Sequence, residues 1–233
     1  ELGGKLDAIG ANLSRIAGAP ALSAMRSVRE RTVKQQPRLP AAVQIPIEGL
    51  RRGEKEPFFT PSDRNPPFDL LEAVQEFFMS KILGSLLVHG VAGSGKSVFS
   101  REVQKFLCGS SGRFQEKLAA EGREVILIYC NMPTLRNPLT DLFAESLRAH
   151  PYNLRDTQIH ELREKIQNKE VKIVCVFLLD GIDEMKQEYR YQNFYQTNNL
   201  EMYRGEGDPP IYPKVVYCTR AEMLVDMPDY RNM

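Results

Sequence analysis

The sequence predicts an α/β fold: a three-layer sandwich with a mainly parallel sheet, preceded by a helical and proline-rich arm. Three observations lead there. Short apolar runs at residues 86–88, 125–130, 171–179 and 215–218 read as buried strands. Stretches with helical spacing separate them, which is the pattern of parallel strands joined by crossovers. A glycine-rich turn follows the first run, and a group of acids ends the third. In a parallel sheet both would lie beyond the carboxyl ends of strands, where ligands bind.

Composition sets the outer limits. A chain of 233 residues with 42% hydrophobic content supports one large domain, or one domain with an arm. We divide it into a helical arm over 1–34, a proline-rich connector over 35–67 and a domain over 68–233. The net charge of +1 lacks the basic excess of a nucleic-acid binder, so nucleic acid is not an expected partner. The run at 171–179 is too short to span a bilayer, so no membrane association is expected. No secretory leader is read at the start. The chain opens on Glu1 rather than Met, which leaves an upstream targeting segment open. Cys108, Cys130, Cys175 and Cys218 form no C-x-x-C pair, and three of them lie in apolar runs. Buried free thiols in a reducing, cytoplasmic compartment are expected, rather than disulfides or zinc ligands.

Each element has its own signal. Leu2, Leu6, Ile9, Leu13 and Ile16 follow a/d spacing and predict a helix over 2–17. Self-association and packing on its own domain both fit that short seam. After Gly18 to Pro20, Arg26, Arg29, Arg31 and Lys34 mark a second, basic helical segment that reads as a solvated face. Seven prolines between 35 and 67 exclude a long helix or a central strand there. Asp69 is placed to cap a helix over 70–81, with Leu71, Val74, Phe77 and Phe78 on its apolar side and Gly84 at its end. Residues 86–88 then form a strand expected at the centre of the sheet. Val98, Val103, Phe106 and Leu107 give the next helix its apolar face. Helices are also expected at 114–121, 138–149 and 157–168. The tyrosine-rich piece at 187–203 reads as a surface helix, and 205–213 as a loop.

The chemistry begins at Gly90-Val91-Ala92-Gly93-Ser94-Gly95-Lys96-Ser97, which matches the phosphate-binding P-loop pattern G-x-x-x-x-G-K-[ST]. Glycines let the backbone curl, so that successive N–H groups form an anion-binding nest. The positive end of the following helix, from Val98 on, faces the same place. Lys96 can neutralise outer phosphates, and the Ser97 hydroxyl can bind Mg²⁺. The third strand ends in Leu178-Leu179-Asp180-Gly181-Ile182-Asp183-Glu184. An acid at that end can hold Mg²⁺ directly or through water, which is the Walker B arrangement and is assigned to Asp180. Asp183 or Glu184 can orient and deprotonate an attacking water. The fourth strand ends in Thr219-Arg220, and Arg220 there would face a γ-phosphate.

Taken together, GVAGSGKS, LLDGIDE and VVYCTRAEML resemble the NACHT group of STAND P-loop NTPases, the nucleotide-switch module of innate-immune receptors and related signalling proteins. The D-G-I-D-E form discriminates this group from the endings usual in other branches. The resemblance covers about residues 68–233, and the first 67 carry none. It implies ATP and ADP with Mg²⁺ as ligands. It gives Lys96 and Ser97 to phosphate and Mg²⁺, Asp180 to Mg²⁺, Asp183 and Glu184 to hydrolysis, and Arg220 to a sensor role. In such proteins the segment before the core often touches adenine, which brings in Ile45 and Pro46. The family continues with a further strand, a small helical domain and a winged helix, so a longer protein is expected. The expected function is a slow ATPase switch in which ATP favours a homo-oligomer through the NTPase domain and ADP a closed form. A P-loop small-molecule kinase is the alternative, although no arginine-rich lid is found between Gly109 and Leu179. A nucleotide-holding scaffold without turnover is another. No guanine-reading N-K-x-D motif is present.

Overall fold

The computed structural model describes residues 23–25, 27–28, 48–49, 68–80, 84–108, 124–167, 173–190, 192–204, 213–220 and 223. The expected helices at 2–17 and 114–121, the loop over 205–212, Ile45 and Pro46 lie outside the described residues. Of the connector, β1 (Glu48–Gly49) is described, and it pairs antiparallel with β2 (Phe68–Asp69).

Asp69 then caps α1 (Leu70–Met79). Its Oδ1 accepts from the Leu71 N–H at 2.7 Å and from the Glu72 N–H at 3.4 Å, satisfying two orphan donors of the first turn. Val74, Phe77 and Phe78 are the buried face, at the helical spacing read from the sequence. The helix stops at Met79, two residues short of expectation, because Ser80 turns to an extended conformation.

The remaining elements are β3 (Ser85–His89), α2 (Lys96–Cys108), β4 (Glu124–Asn131), α3 (Leu142–Arg148), α4 (Asp156–Gln167), β5 (Ile173–Asp180), α5 (Gln187–Arg190), α6 (Phe194–Thr197) and β6 (Lys214–Thr219). β3, β6, β5 and β4 form, in that order, a four-stranded, all-parallel sheet. The fold is therefore α/β with crossovers, as the alternation of elements requires.

The place of β3 corrects the sequence reading. It was expected at the centre, but among the described residues it is an edge strand, and all its residues are half-buried. β6, last in sequence, inserts between β3 and β5, and is buried throughout. An apolar run of strand length does not reveal which neighbours it will have.

Alternation along β5 divides the core in two. Ile173, Cys175, Phe177 and Leu179 pack with Leu142, Phe143 and Leu147 of α3 and Ile159, Leu162 and Ile166 of α4. Val174, Val176 and Leu178 pack with Phe77 and Phe78 of α1 and Phe99, Val103 and Leu107 of α2. Met25 and Val28, on the second segment of the arm, are buried in the first of these clusters, so that part of the arm packs on the domain. Cys130, Cys175 and Cys218 are free and buried, and burial pushes their thiols up to about 12. Among the described residues no helix is long and apolar enough to cross a membrane.

Two further readings are corrected. α3 begins at Leu142 rather than 138, because Asp141 caps it by accepting from the Ala144 N–H at 3.0 Å. Arg163 of α4 holds the same carboxylate through both oxygens, at 2.8 and 2.7 Å. The stretch at 187–203 is not one surface helix but α5, α6 and a 3-10 turn at Leu200–Tyr203. Phe194, Leu200 and Tyr203 are buried, and Tyr203 stacks on Phe143 at 4.6 Å. Asn198 ties the stretch down by accepting from the Leu142 N–H at 2.7 Å and donating to Pro138 O at 2.9 Å.

Lys214, at the start of β6, is only 1% exposed. Its ammonium donates to Ser80 O at 2.5 Å and lies 5.1 Å from the centre of the Phe77 ring. Burial nevertheless lowers it to about 8. Below that pH the ammonium is charged in both states and folding bears its desolvation. Between about 8 and the ordinary lysine value the unfolded chain binds more protons, so this group makes stability rise with pH, by up to roughly 1.4 kcal/mol per pH unit. Lys214→Met is expected to flatten that rise. Urea unfolding of both proteins between about pH 7 and 10 measures it, and equal slopes would show that Lys214 does not titrate in that window.

Candidate functional site

The site begins where β3 ends. The Gly90 N–H donates to Thr219 O at 3.3 Å, so the loop leaves the sheet beside the end of β6. The chain then curls through Gly93 and Gly95, whose φ values of 76° and 91° fall where side chains are strained. Gly95 O accepts the first bond of α2, from the Phe99 N–H at 2.8 Å. The loop therefore delivers residues 92–97 to the amino end of a helix of 13 residues. The Lys96 ammonium donates to Gly90 O at 2.8 Å and Val91 O at 2.9 Å, which leaves one of its N–H groups for another acceptor. Ser97 is exposed in the first turn of α2.

β5 supplies the acids. Asp180 is its last residue and is half-buried. Burial raises the Asp180 carboxyl, while hydrogen bonds from Tyr129 and Ser100 oppose that rise. The Tyr129 hydroxyl donates to Asp180 Oδ2 at 3.2 Å. Gly181 follows with φ 77°, and a Cβ there would come within 3.0 Å of Pro133 Cδ. Glycine thus lets the chain reverse tightly into the 3-10 turn Ile182–Glu184. Within that turn Glu184 is exposed. Asp183 is ion-paired with Arg220, whose Nε lies 2.6 Å from Asp183 Oδ2.

These groups surround a cavity of 550 Å³. Its walls are loop and helix residues Ala92, Gly93, Ser94, Gly95, Lys96, Ser97 and Val98 on one side, and Asp180, Asp183, Glu184 and Arg220 on the other. Of the described residues that the sequence assigned to phosphate, metal or catalysis, Gly90 and Val91 do not line it. The arrangement offers backbone donors, cations, hydroxyls and carboxylates around one space. That donor set suits a polyanion accompanied by a divalent cation.

Several lining residues were not anticipated. Tyr129 and Asn131 come from the end of β4, where register places Asn131 opposite Asp180. Tyr129 is held from behind, because its N–H donates to the Tyr152 hydroxyl at 2.8 Å and that hydroxyl donates to Leu127 O at 2.9 Å. Arg101 and Gln104 extend the wall along α2. Gln104 is 7% exposed. Its one sequence signal is a polar residue beside Val103 on the apolar side of the helix. The chain matches no family model, no curated protein and no solved structure.

Proposed function

We propose that this chain is the nucleotide-binding part of a NACHT-type switch, a P-loop domain of three layers that binds ATP and ADP with Mg²⁺ and hydrolyses ATP slowly. One observation carries the reading. A single cavity gathers Lys96 and Ser97 beyond β3, Asp180, Asp183 and Glu184 beyond β5, and Arg220 beyond β6. These lie past the carboxyl ends of three parallel strands, where such sheets place ligands. The two apolar clusters either side of β5 support the three-layer arrangement.

Each residue then has a task. The N–H groups of the loop and the Lys96 ammonium bind phosphate oxygens. The Ser97 hydroxyl and the Asp180 carboxylate fit a hard cation, and Tyr129 orients that carboxylate. Bound Mg²⁺ would neutralise phosphate charge and polarise the terminal phosphorus for attack. Glu184, exposed and lining the cavity, is placed to take the proton of an attacking water. The nucleotide state would select between conformations and thereby control homo-oligomerisation. The buried free thiols support a reducing, cytoplasmic setting.

The test is thermal unfolding of the chain with Mg²⁺ and increasing ATP, ADP or GTP. A ligand at about a hundred times its Kd stabilises by roughly 2.7 kcal/mol, or a Tm rise of about 5–10 °C for a domain of this size. Adenine nucleotides are expected to produce that rise. No shift with any nucleotide at millimolar concentration would end the proposal.

A further inference from the structure

Arg220 and Asp183 reach the cavity from adjacent strands, β6 and β5. Their exposures differ sharply: the Asp183 side chain is 5% exposed and that of Arg220 46%. The carboxylate is the anchored member and the guanidinium the half-exposed one. Releasing Arg220 would leave a buried charge unpaired, which is strongly unfavourable. The pairing also uses a particular corner of the fork. Asp183 meets Nε, the inner nitrogen, at 2.6 Å. A guanidinium has five N–H donors in a rigid plane, and its two outer nitrogens carry four of them. A fork gripped at its inner corner can present its outer edge to a second anion without letting go of the first.

We propose that Asp183 is a positioning residue: it holds Arg220 so that the outer nitrogens meet the terminal phosphate of a nucleoside triphosphate, and so sets the preference for triphosphate over diphosphate. This rests on the nucleotide reading of the same cavity. It parts the two acids of the turn, with Asp183 acting through Arg220 and Glu184 acting on water. It also carries a sign that separates it from the simplest rival. A carboxylate beside a phosphate site repels the ligand, and if that were all Asp183 did, its removal would tighten ATP binding. A positioning residue predicts the reverse.

The experiment is calorimetric titration of the whole chain with Mg·ATP and Mg·ADP, comparing wild type, Asp183→Ala, Arg220→Ala, the double variant and Arg220→Lys. Wild type is expected to prefer ATP by roughly tenfold to a hundredfold, the worth of a charge-assisted pair. Asp183→Ala and Arg220→Ala should each erase most of that preference, chiefly through ATP. The double variant should lose no more than either single one, because the two act as a unit. Arg220→Lys should resemble Arg220→Ala, since an ammonium keeps the charge but lacks the fork. Asp183→Asn, with the same size and one acceptor oxygen, should fall between wild type and Asp183→Ala, and melting curves without nucleotide check that each variant folds. Tighter ATP binding by Asp183→Ala, an additive loss in the double variant, or a wild type that binds ATP and ADP equally would overturn the proposal alone. A wild type that binds neither nucleotide would overturn it together with the nucleotide reading.

Discussion

Lys96→Ala is expected to weaken Mg·ATP binding by roughly tenfold to a hundredfold, the usual worth of a charge-assisted contact in a partly buried site. Lys96 sits at the first position of α2 and lines the cavity, with its ammonium folded back onto Gly90 O and Val91 O. The substitution removes the cation that would face the phosphates and also takes a donor from both carbonyls, although Val91 O keeps the Ser94 N–H at 3.2 Å. Melting curves without nucleotide measure the second effect by itself, and calorimetry with ATP measures the sum. ADP should lose affinity too, because under the proposed function the loop would cradle phosphates common to both nucleotides. That separates Lys96→Ala from the Arg220 variants, which are proposed to act on the terminal phosphate. Unchanged affinity for ATP in a folded Lys96→Ala protein would remove the P-loop assignment.

Glu184→Gln is expected to bind ATP as wild type does and to hydrolyse it more slowly by roughly a hundredfold or more, the scale of a positioned base. The change keeps size and hydrogen-bonding capacity but removes basicity. Its neighbour supplies the comparison. Asp183 is already neutralised by Arg220 at 2.6 Å, whereas Glu184 is exposed in the same turn. Single-turnover hydrolysis of Glu184→Gln and Asp183→Asn, with oligomeric state measured on the same samples, distinguishes them. In a switch, ATP trapped by Glu184→Gln should enrich the oligomeric form, because ATP binds that form more tightly. A fall in hydrolysis confined to Asp183→Asn would remove Glu184 as the base. Wild-type rates in both variants would leave neither acid as the base.

How much was legible beforehand depended on how far apart in sequence the interacting groups are. The turn from β3 into α2 was readable because its determinants are covalent neighbours: positive-φ glycines, a helix start, and a lysine that bonds carbonyls five and six residues back. The Asp69 cap and the residue types at the end of β5 were readable for the same reason. The start expected at 138 for α3 and the single surface helix expected at 187–203 were misread together. Asn198, a polar residue within the second, spends its side chain on Leu142 and Pro138 in the first.

Legible in the sequence alone were the alternation of strands and helices, the G-x-x-x-x-G-K-[ST] pattern, and which acids and which arginine end the strands. Tertiary packing set β6 between β3 and β5, which brings Arg220 against Asp183. It also decided that β4 lies beside β5 in a register that carries Tyr129 to Asp180. The physical reason is that local periodicity specifies which face of a strand is apolar. Which strands become neighbours, and in what register, is set by burying all those faces at once, and that depends on residues far apart along the chain.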